Sequence, residues 1–294
     1  MRVLISGATG LIGTELIKQL RAAGHTPISL TRFQPTRDDQ VFYNPKTGEL
    51  DAAVMETIDA VVNLAGATTG KIPWTRKYMQ EIIDSRLQTT RLLVSAINAA
   101  KKKPKVLVSG SASGFYGDRG DELLHEDSGK GTGFLSDLAN DWEQAALEAK
   151  TRVVLVRTTL VMSKKLGALG KLLPLIKLGI GGPLGSGKQW WAWITVEDQA
   201  RAIMHLIENE KTSGPYNLTA PEPATCEEMI RALGKRLRRP TLLRVPAWAM
   251  KLLIGVAAEE LLLCSQKMSA DRLIESGYKF NHPTLGEAVE YVVS

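Results

Sequence analysis

Three glycines follow the first apolar run of the chain, where Val3-Leu4-Ile5-Ser6 leads into Gly7-Ala8-Thr9-Gly10-Leu11-Ile12-Gly13. The chemistry such a segment serves is the binding of a diphosphate. A tight turn from strand to helix needs glycine's backbone freedom, and a diphosphate needs close approach to N–H groups at the positive end of a helix. The third glycine lets helix and strand pack closely. In this order the segment predicts a dinucleotide site, the alternative being a turn that serves packing alone. A second clue ends the next apolar run. Thr31-Arg32, with Arg37 nearby, stands where an NAD binder usually carries Asp or Glu for the ribose hydroxyls. A carboxylate would repel a 2′-phosphate, whereas a guanidinium binds it through paired hydrogen bonds. The pattern favours NADP over NAD, against the alternative that Arg32 is merely solvated.

Other residues invite weaker readings. Trp190, Trp191 and Trp193 would either wall a planar or apolar pocket or form core where two lobes meet. Lys188 and Arg157 are candidates to hold an acidic substrate group or to lie in solvent. Cys226 and Cys264 are far apart and the four His are scattered, so neither a metal site nor a disulfide framework is expected. The net charge of +6 is spread along the chain. The basic runs Lys101-Lys102-Lys103 and Lys235-Arg236-Leu237-Arg238-Arg239 are each followed by Pro and read as helix ends, so nucleic acid is not an expected partner. The apolar stretch from Leu252 to Leu263 is broken by Glu259 and Glu260 and is too short to span a bilayer. With a first strand beginning at Arg2, a cytoplasmic protein without membrane contact is expected.

The elements that must position these residues alternate. Short apolar runs at Val3–Ile5, Pro27–Leu30, Ala60–Ala65, Val106–Val108 and Val153–Val156 read as strands. Helical patterns lie between them at 11–23, 78–100 and 134–149. Such alternation predicts a Rossmann-type, doubly wound parallel α/β sheet, with ligands at the C-terminal strand ends. After Ser163, two glycine-rich stretches around Gly167–Gly170 and Gly179–Gly187 predict a non-regular segment. The tail predicts helices over 226–238, 247–264 and 284–292. This gives a nucleotide-binding domain over 1–163, to which 194–224 returns. A smaller, mostly helical substrate lobe is formed by 164–193 and 225–294.

The chain resembles the extended short-chain dehydrogenase/reductases in its glycine segment, in Asn63-Leu64-Ala65-Gly66 and in Ser109-Gly110-Ser111-Ala112-Ser113-Gly114-Phe115-Tyr116-Gly117. More narrowly it is similar to the atypical epimerase family of YfcH type, over essentially its whole length. The shared features are Ser85-Arg86 to Thr90, an acidic loop followed by Phe134-Leu135 and Trp142-Glu143, Gly181 to Ile194, Tyr216 to Pro221, and Ser265-Gln266. The resemblance implies an NADP-binding Rossmann domain and cofactor contacts from Gly7, Ala8, Thr9, Gly10, Leu11, Ile12, Gly13, Thr31, Arg32, Leu64, Ala65, Gly66, Glu81, Arg86 and Met162. Where the family usually has a His, this chain has Thr195. The superfamily also suggests homodimerisation through helices 78–100 and 134–149.

The wider superfamily runs its proton relay through a Tyr and a Lys four residues apart on one helix. Here Leu135 and Ala139, or Phe134 and Leu138, fill those positions. The strand-end serine is present as Ser111, and the nearest phenol is Tyr116, with Asp118 and Glu126 in the same loop. Two expectations follow. The chain is an NADP-dependent epimerase or oxidoreductase on a small molecule, such as a sugar nucleotide, with Ser111 and Tyr116 as catalytic candidates. The alternative is an NADP(H)-binding sensor or interaction module without turnover.

Overall fold

The computed structural model describes the chain except residues 165–167, and of residues 168, 169 and 171 it describes the backbone only. The first apolar run forms β1 (Arg2–Ser6), and the glycine turn delivers the chain into α1 (Leu11–Ala22), which buries Gly13, Leu16 and Leu20 on the sheet. Then come β2 (Thr26–Thr31), β3 (Gln40–Asn44), the short β4 (Glu49–Leu50) and β5 (Ala60–Asn63). The long α2 (Arg76–Ala99) crosses to β6 (Val106–Ala112). A loop carrying β7 (Leu123–Leu124) precedes α3 (Phe134–Leu147), β8 (Arg152–Thr158) and β9 (Leu160–Met162). The main sheet runs β11-β8-β6-β5-β1-β2-β3-β4, where β11 is Gly214–Leu218. All its pairs are parallel except β3 with β4. Val3, Ile5, Val62, Val108 and Val154 pack one face of the sheet, and Leu4, Val61, Leu107 and Leu155 the other. Alternate residues thus serve helices on both sides, which is why these strands read as unbroken apolar runs.

Several elements depart from the sequence expectation. Residues 168–177 form α4 (Ala168–Lys177), with Pro174 inside it, where a non-regular segment was expected; Gly167 lies outside the described residues. Irregular chain begins only after α4. It leads to β10 (Trp193–Thr195), which pairs with β9, and then to α5 (Val196–Glu208), a helix not anticipated. The side chain of Thr195 accepts the N–H of Asp198 and so caps α5. Edge strand β11 also escaped notice. Pro215 sits in it, which an edge tolerates because one side needs no ladder hydrogen bonds.

The C-terminal region contains α6 (Cys226–Leu237), α7 (Ala247–Ile254), α8 (Val256–Ala258), β12 (Lys267–Met268), α9 (Asp271–Glu275) and α10 (Leu285–Val293). The expected helix over 247–264 breaks at Gly255, whose φ is +61°, and ends in a π-type turn over Glu259–Leu263. Helices α6 and α10 start with reciprocal caps, Thr225 with Glu228 and Thr284 with Glu287. Met162, Trp191, Trp193, Met229, Leu233 and Val289 share a second apolar core. No helix among the described residues is long and apolar enough to cross a membrane.

Candidate functional site

The glycine segment forms a bare cradle at the C-terminal end of β1. Gly7 has φ +72° and lies against the backbone of Leu64, where a Cβ would come within 2.7 Å. Gly13 is packed harder: a Cβ there would sit 2.3 Å from the Gly7 carbonyl oxygen. Gly10 differs. Its φ is −74°, and a Cβ would meet only the Gly7 oxygen, at 3.2 Å. The protein therefore needs Gly7 and Gly13 for its own packing, while Gly10 faces open space. Gly10 also precedes α1 without any side-chain cap, so among the described residues the N–H groups of the first turn have no side-chain acceptor. Thr9 and Gly10 are exposed, Leu11 and Ile12 half-buried, and Ala8 buried. This arrangement fits a diphosphate at the positive end of the helix.

Beside this cradle, Thr31 ends β2 and Arg32 follows it, exposed. Arg37 is committed to Asp39 at 2.8 Å, and Arg21 shares the same carboxylate. Arg32 has no hydrogen bond or ion pair among the described residues. It is the free cation at the strand end.

The end of β5 supplies Leu64, Ala65 and Gly66, and a polar frame holds them. Ser6 Oγ donates to Asn63 Oδ1 (2.7 Å) and accepts the Ala65 N–H (3.2 Å). Asn63 Nδ2 donates to Thr90 Oγ1 (2.8 Å), which also accepts from Trp142 Nε1 (2.9 Å). Ser85 Oγ accepts the Ala67 N–H, and Arg86 Nη1 donates to the Ala67 carbonyl at 3.1 Å. The Ser-Arg-Leu-x-x-Thr motif is thus a brace for this loop. Arg86 lies against Gly66, whose Cβ would meet the guanidinium carbon at 3.0 Å, and burial lowers its pKa to about 10. Glu81 is exposed on α2. Met162 is fully buried in the second core, so its side chain presents no free face.

The two catalytic candidates are tied into the interior. Ser111 is buried, and its hydroxyl donates to Glu143 Oε1 at 2.6 Å. Tyr116 is fully buried. Its oxygen lies 2.7 Å from Asn217 Oδ1 and 3.0 Å from the His125 carbonyl, and it accepts from Arg157 Nη1 at 2.8 Å. Arg157 does not reach for a substrate. It is 3% exposed, pairs with both oxygens of Glu143 (2.8 and 2.9 Å), and stacks on Phe115 at 3.7 Å. Glu126 is buried too and accepts the Asn217 N–H. Leu135 and Ala139 sit in separate apolar clusters, the first shared with Tyr78 and the second with Tyr116, and neither offers a Tyr–Lys pair. Trp191 and Trp193 are core, while Trp190 bonds Asp121 through its indole N–H (2.7 Å). Thr195, buried, contacts Asp198 and His282. His282 and the hub Asp198 carried no signal in the sequence because the groups that join them, Tyr278, Asn281 and His282 on one side and Asp198 on the other, lie 80 to 84 residues apart.

Burial pushes the Tyr116 phenol from 10.0 up to about 12, with Arg157 pulling the other way. An acid whose folded pKa is raised stabilises the fold below its unfolded value and loses that contribution as pH rises towards the folded one. Urea midpoints measured across about pH 9 to 12 are therefore expected to fall, with Tyr116 accounting for about 2 kcal/mol. Tyr116→Phe should flatten that fall; an unchanged pH profile in the variant would contradict the assignment.

Beyond β6 the loop opens into a cleft of about 510 Å³ between the sheet end and the C-terminal region. Asp118, Gln189, Lys251, Glu259, Glu260 and Cys264 are among its lining residues. Among the described residues its carboxylates are Asp118 and Glu259, both exposed, and the half-buried Glu260, whereas Glu126 does not line it. Lys251 is paired with Glu259, and Glu260 accepts the N–H groups of Phe134 and Leu135 (both 3.0 Å), capping α3 from across the cleft. Burial raises the Cys264 thiol to about 12.

The comparisons bear on this arrangement. The profile of the NAD dependent epimerase/dehydratase family matches residues 3–219, and a domain of unknown function, DUF1731, matches residues 245–292. Epimerase family protein Mb2239 of Mycobacterium bovis is 39% identical over 99% of this chain and 97% of its own length. The chloroplastic SDR39U1 homolog of Arabidopsis thaliana is 36% identical, with 100% and 87% covered. The crystal structure of human epimerase family protein SDR39U1 with NADPH superposes with a TM-score of 0.91 at 33% identity, covering 100% of this chain and 99% of that one. UDP-glucuronic acid 4-epimerase from Bacillus cereus shares the fold at 16% identity and a TM-score of 0.79, over 100% and 99%. With a Rossmann-type sheet, a bare glycine cradle at its strand ends and relatives matched along nearly their whole length, the chain belongs to the NAD dependent epimerase/dehydratase family.

Proposed function

We propose that the protein binds NADP(H) across the ends of β1, β2 and β5 and acts on a small molecule in the cleft beyond β6, without a phenol relay. The observation that carries the cofactor assignment is Arg32, a free guanidinium beside an uncapped helix start, with no carboxylate in the place that would read a ribose diol. NADPH in the human relative supports it. When bound, the cofactor supplies or accepts hydride. Of the three carboxylates in the cleft lining, Asp118 is the candidate acid, since Glu259 pairs with Lys251, Glu260 caps α3, and Tyr116 and Glu126 are spent in the interior; Asp118 itself accepts the Ser265 N–H through Oδ1. Three carboxylates and one paired lysine in the lining favour an uncharged or cationic substrate over the diphosphate of a sugar nucleotide. The sensor reading has its own support, because Ser111 and Tyr116 are both locked and the Tyr–Lys positions are apolar.

Two experiments test this. Arg32→Ala should weaken NADPH binding about 10- to 100-fold and leave NADH binding unchanged. Purified protein with NADPH should then be offered aldehydes, ketones, neutral sugars and sugar nucleotides, following nicotinamide absorbance and, for epimerisation, chromatography. Turnover that falls about 100-fold in Asp118→Asn but little in Tyr116→Phe is the expected result. Tight NADPH binding with no turnover on any compound selects the sensor reading.

A further inference from the structure

Most of the large apolar side chains that are exposed among the described residues lie along one edge of the C-terminal region. Leu242 is 86% exposed, Leu252 80%, Leu253 73% and Trp248 70%, joined by Leu178 and Ile180 beyond α4. Contacts place these segments side by side. The Val245 N–H donates to the Pro183 carbonyl, Leu184 bridges to Val245, and a Cβ on Gly179 would touch Pro240 at 3.5 Å. Helix α7 follows at once. Its inner face buries Met250, Ala247 and Lys251 border the cleft, and Trp248, Leu252 and Leu253 point away from both. So large a cluster of apolar groups is uncommon on the surface of a soluble chain and marks an interaction site.

Charge selects the occupant. Lys177, Lys235, Arg238 and Arg239 are exposed around the same edge, and none has an ion pair among the described residues. The acids nearby are already taken: Glu227 pairs with Arg231 and Arg244, and Glu259 with Lys251. A second copy docked face to face would bring these unpaired cations against one another. Leu242 and Arg239 border a small, mostly polar and charged hollow of about 350 Å³, whereas Trp248, Leu252 and Leu253 line neither it nor the cleft and project from the surface. Projecting Trp and Leu within a basic rim are what an anionic bilayer surface accepts. We propose that this edge, centred on α7, docks on anionic membrane surfaces. The run Lys235–Arg239, read in sequence as a helix end, and the start of the stretch Leu252–Leu263, read as too short to span, become the charged and apolar halves of one interfacial site; from Ala257 on that stretch turns inward, with Ala257 and Ala258 buried and Leu262 and Leu263 packed on the second core. The proposal stands independently of the cofactor assignment.

The test is co-sedimentation of the full chain with phosphatidylcholine vesicles, with and without phosphatidylglycerol. Binding is expected only with the anionic lipid and should weaken as salt rises. The double variant Leu252→Glu/Leu253→Glu should lose at least about tenfold in binding, and Lys177→Glu/Arg239→Glu should lose as much. Leu147→Glu, an exposed apolar position on α3, should bind as the unmodified chain does. Unchanged NADPH affinity and melting temperature would show that the variants are folded. Absence of sedimentation with anionic vesicles overturns the proposal. So does binding undiminished in Leu252→Glu/Leu253→Glu, or sedimentation analysis showing a dimer that this variant dissociates.

Discussion

Gly10→Val is expected to give a folded protein that has lost NADPH binding. The backbone at Gly10 is extended and open to any residue, and a Cβ there meets only one atom of the protein, at 3.2 Å. Replacing glycine by valine at a helix start costs about 1 kcal/mol of stability, because neither side chain caps and valine is the stiffer. The side chain does, however, fill the space over the first turn of α1, where the diphosphate belongs. Affinity should fall at least about 100-fold, close to 3 kcal/mol. Gly13→Val separates the two roles of the motif. Its Cβ would lie 2.3 Å from the Gly7 oxygen and 2.9 Å from the Ala8 Cα, both backbone atoms that cannot turn aside. That variant should lose about 3 kcal/mol or more of folding stability, seen in its melting temperature before any ligand is added. Normal NADPH binding by folded Gly10→Val would contradict the placement of the diphosphate.

Glu143→Ala should be among the most destabilising single changes outside the apolar core. Glu143 meets Arg157 with both oxygens and accepts from Ser111, and both members of the ion pair are at most 6% exposed in their side chains. Removing the carboxylate leaves a guanidinium buried without its counter-charge, which costs about 3–5 kcal/mol. Urea denaturation would read this as a lower midpoint with little change in slope. Arg157→Met on the same background should recover part of the loss, since the uncompensated charge is gone. It should not recover all of it, because Tyr116 and the Glu126 carbonyl lose their donor. A loss below about 1 kcal/mol in Glu143→Ala would show that the pair is not shielded from water.

The parts of this architecture that a single sequence reveals are those written locally. Val3–Ile5, Ala60–Asn63, Val106–Val108 and Val153–Val156 are apolar on both faces and become the central parallel strands. The glycine turn was legible because its three glycines, strand and helix fall within about a dozen residues. The outer strands were not: β3, next to the edge, is mostly half-buried and carries polar residues, and edge strand β11 is short and carries Pro215 and Asn217. Helix α4 hid behind its glycine and Pro174, whose local preferences tertiary packing overrides. The catalytic reading suffered most. Ser111, Tyr116 and Arg157 are the right residue types for chemistry, but the partners that occupy them are set by the fold: Glu143 comes from α3, Asn217 from β11, and His125 from the same loop as Tyr116 folded back on it. Glu260, which caps α3 from over 120 residues away, left no local mark.

Calorimetric titration of the unmodified chain with NADPH and with NADH tests the central claim most directly. A 2′-phosphate held by Arg32 and by no carboxylate should make NADPH bind about 10- to 100-fold more tightly, or 1–3 kcal/mol. Equal affinities for the two cofactors, or tighter binding of NADH, would contradict it.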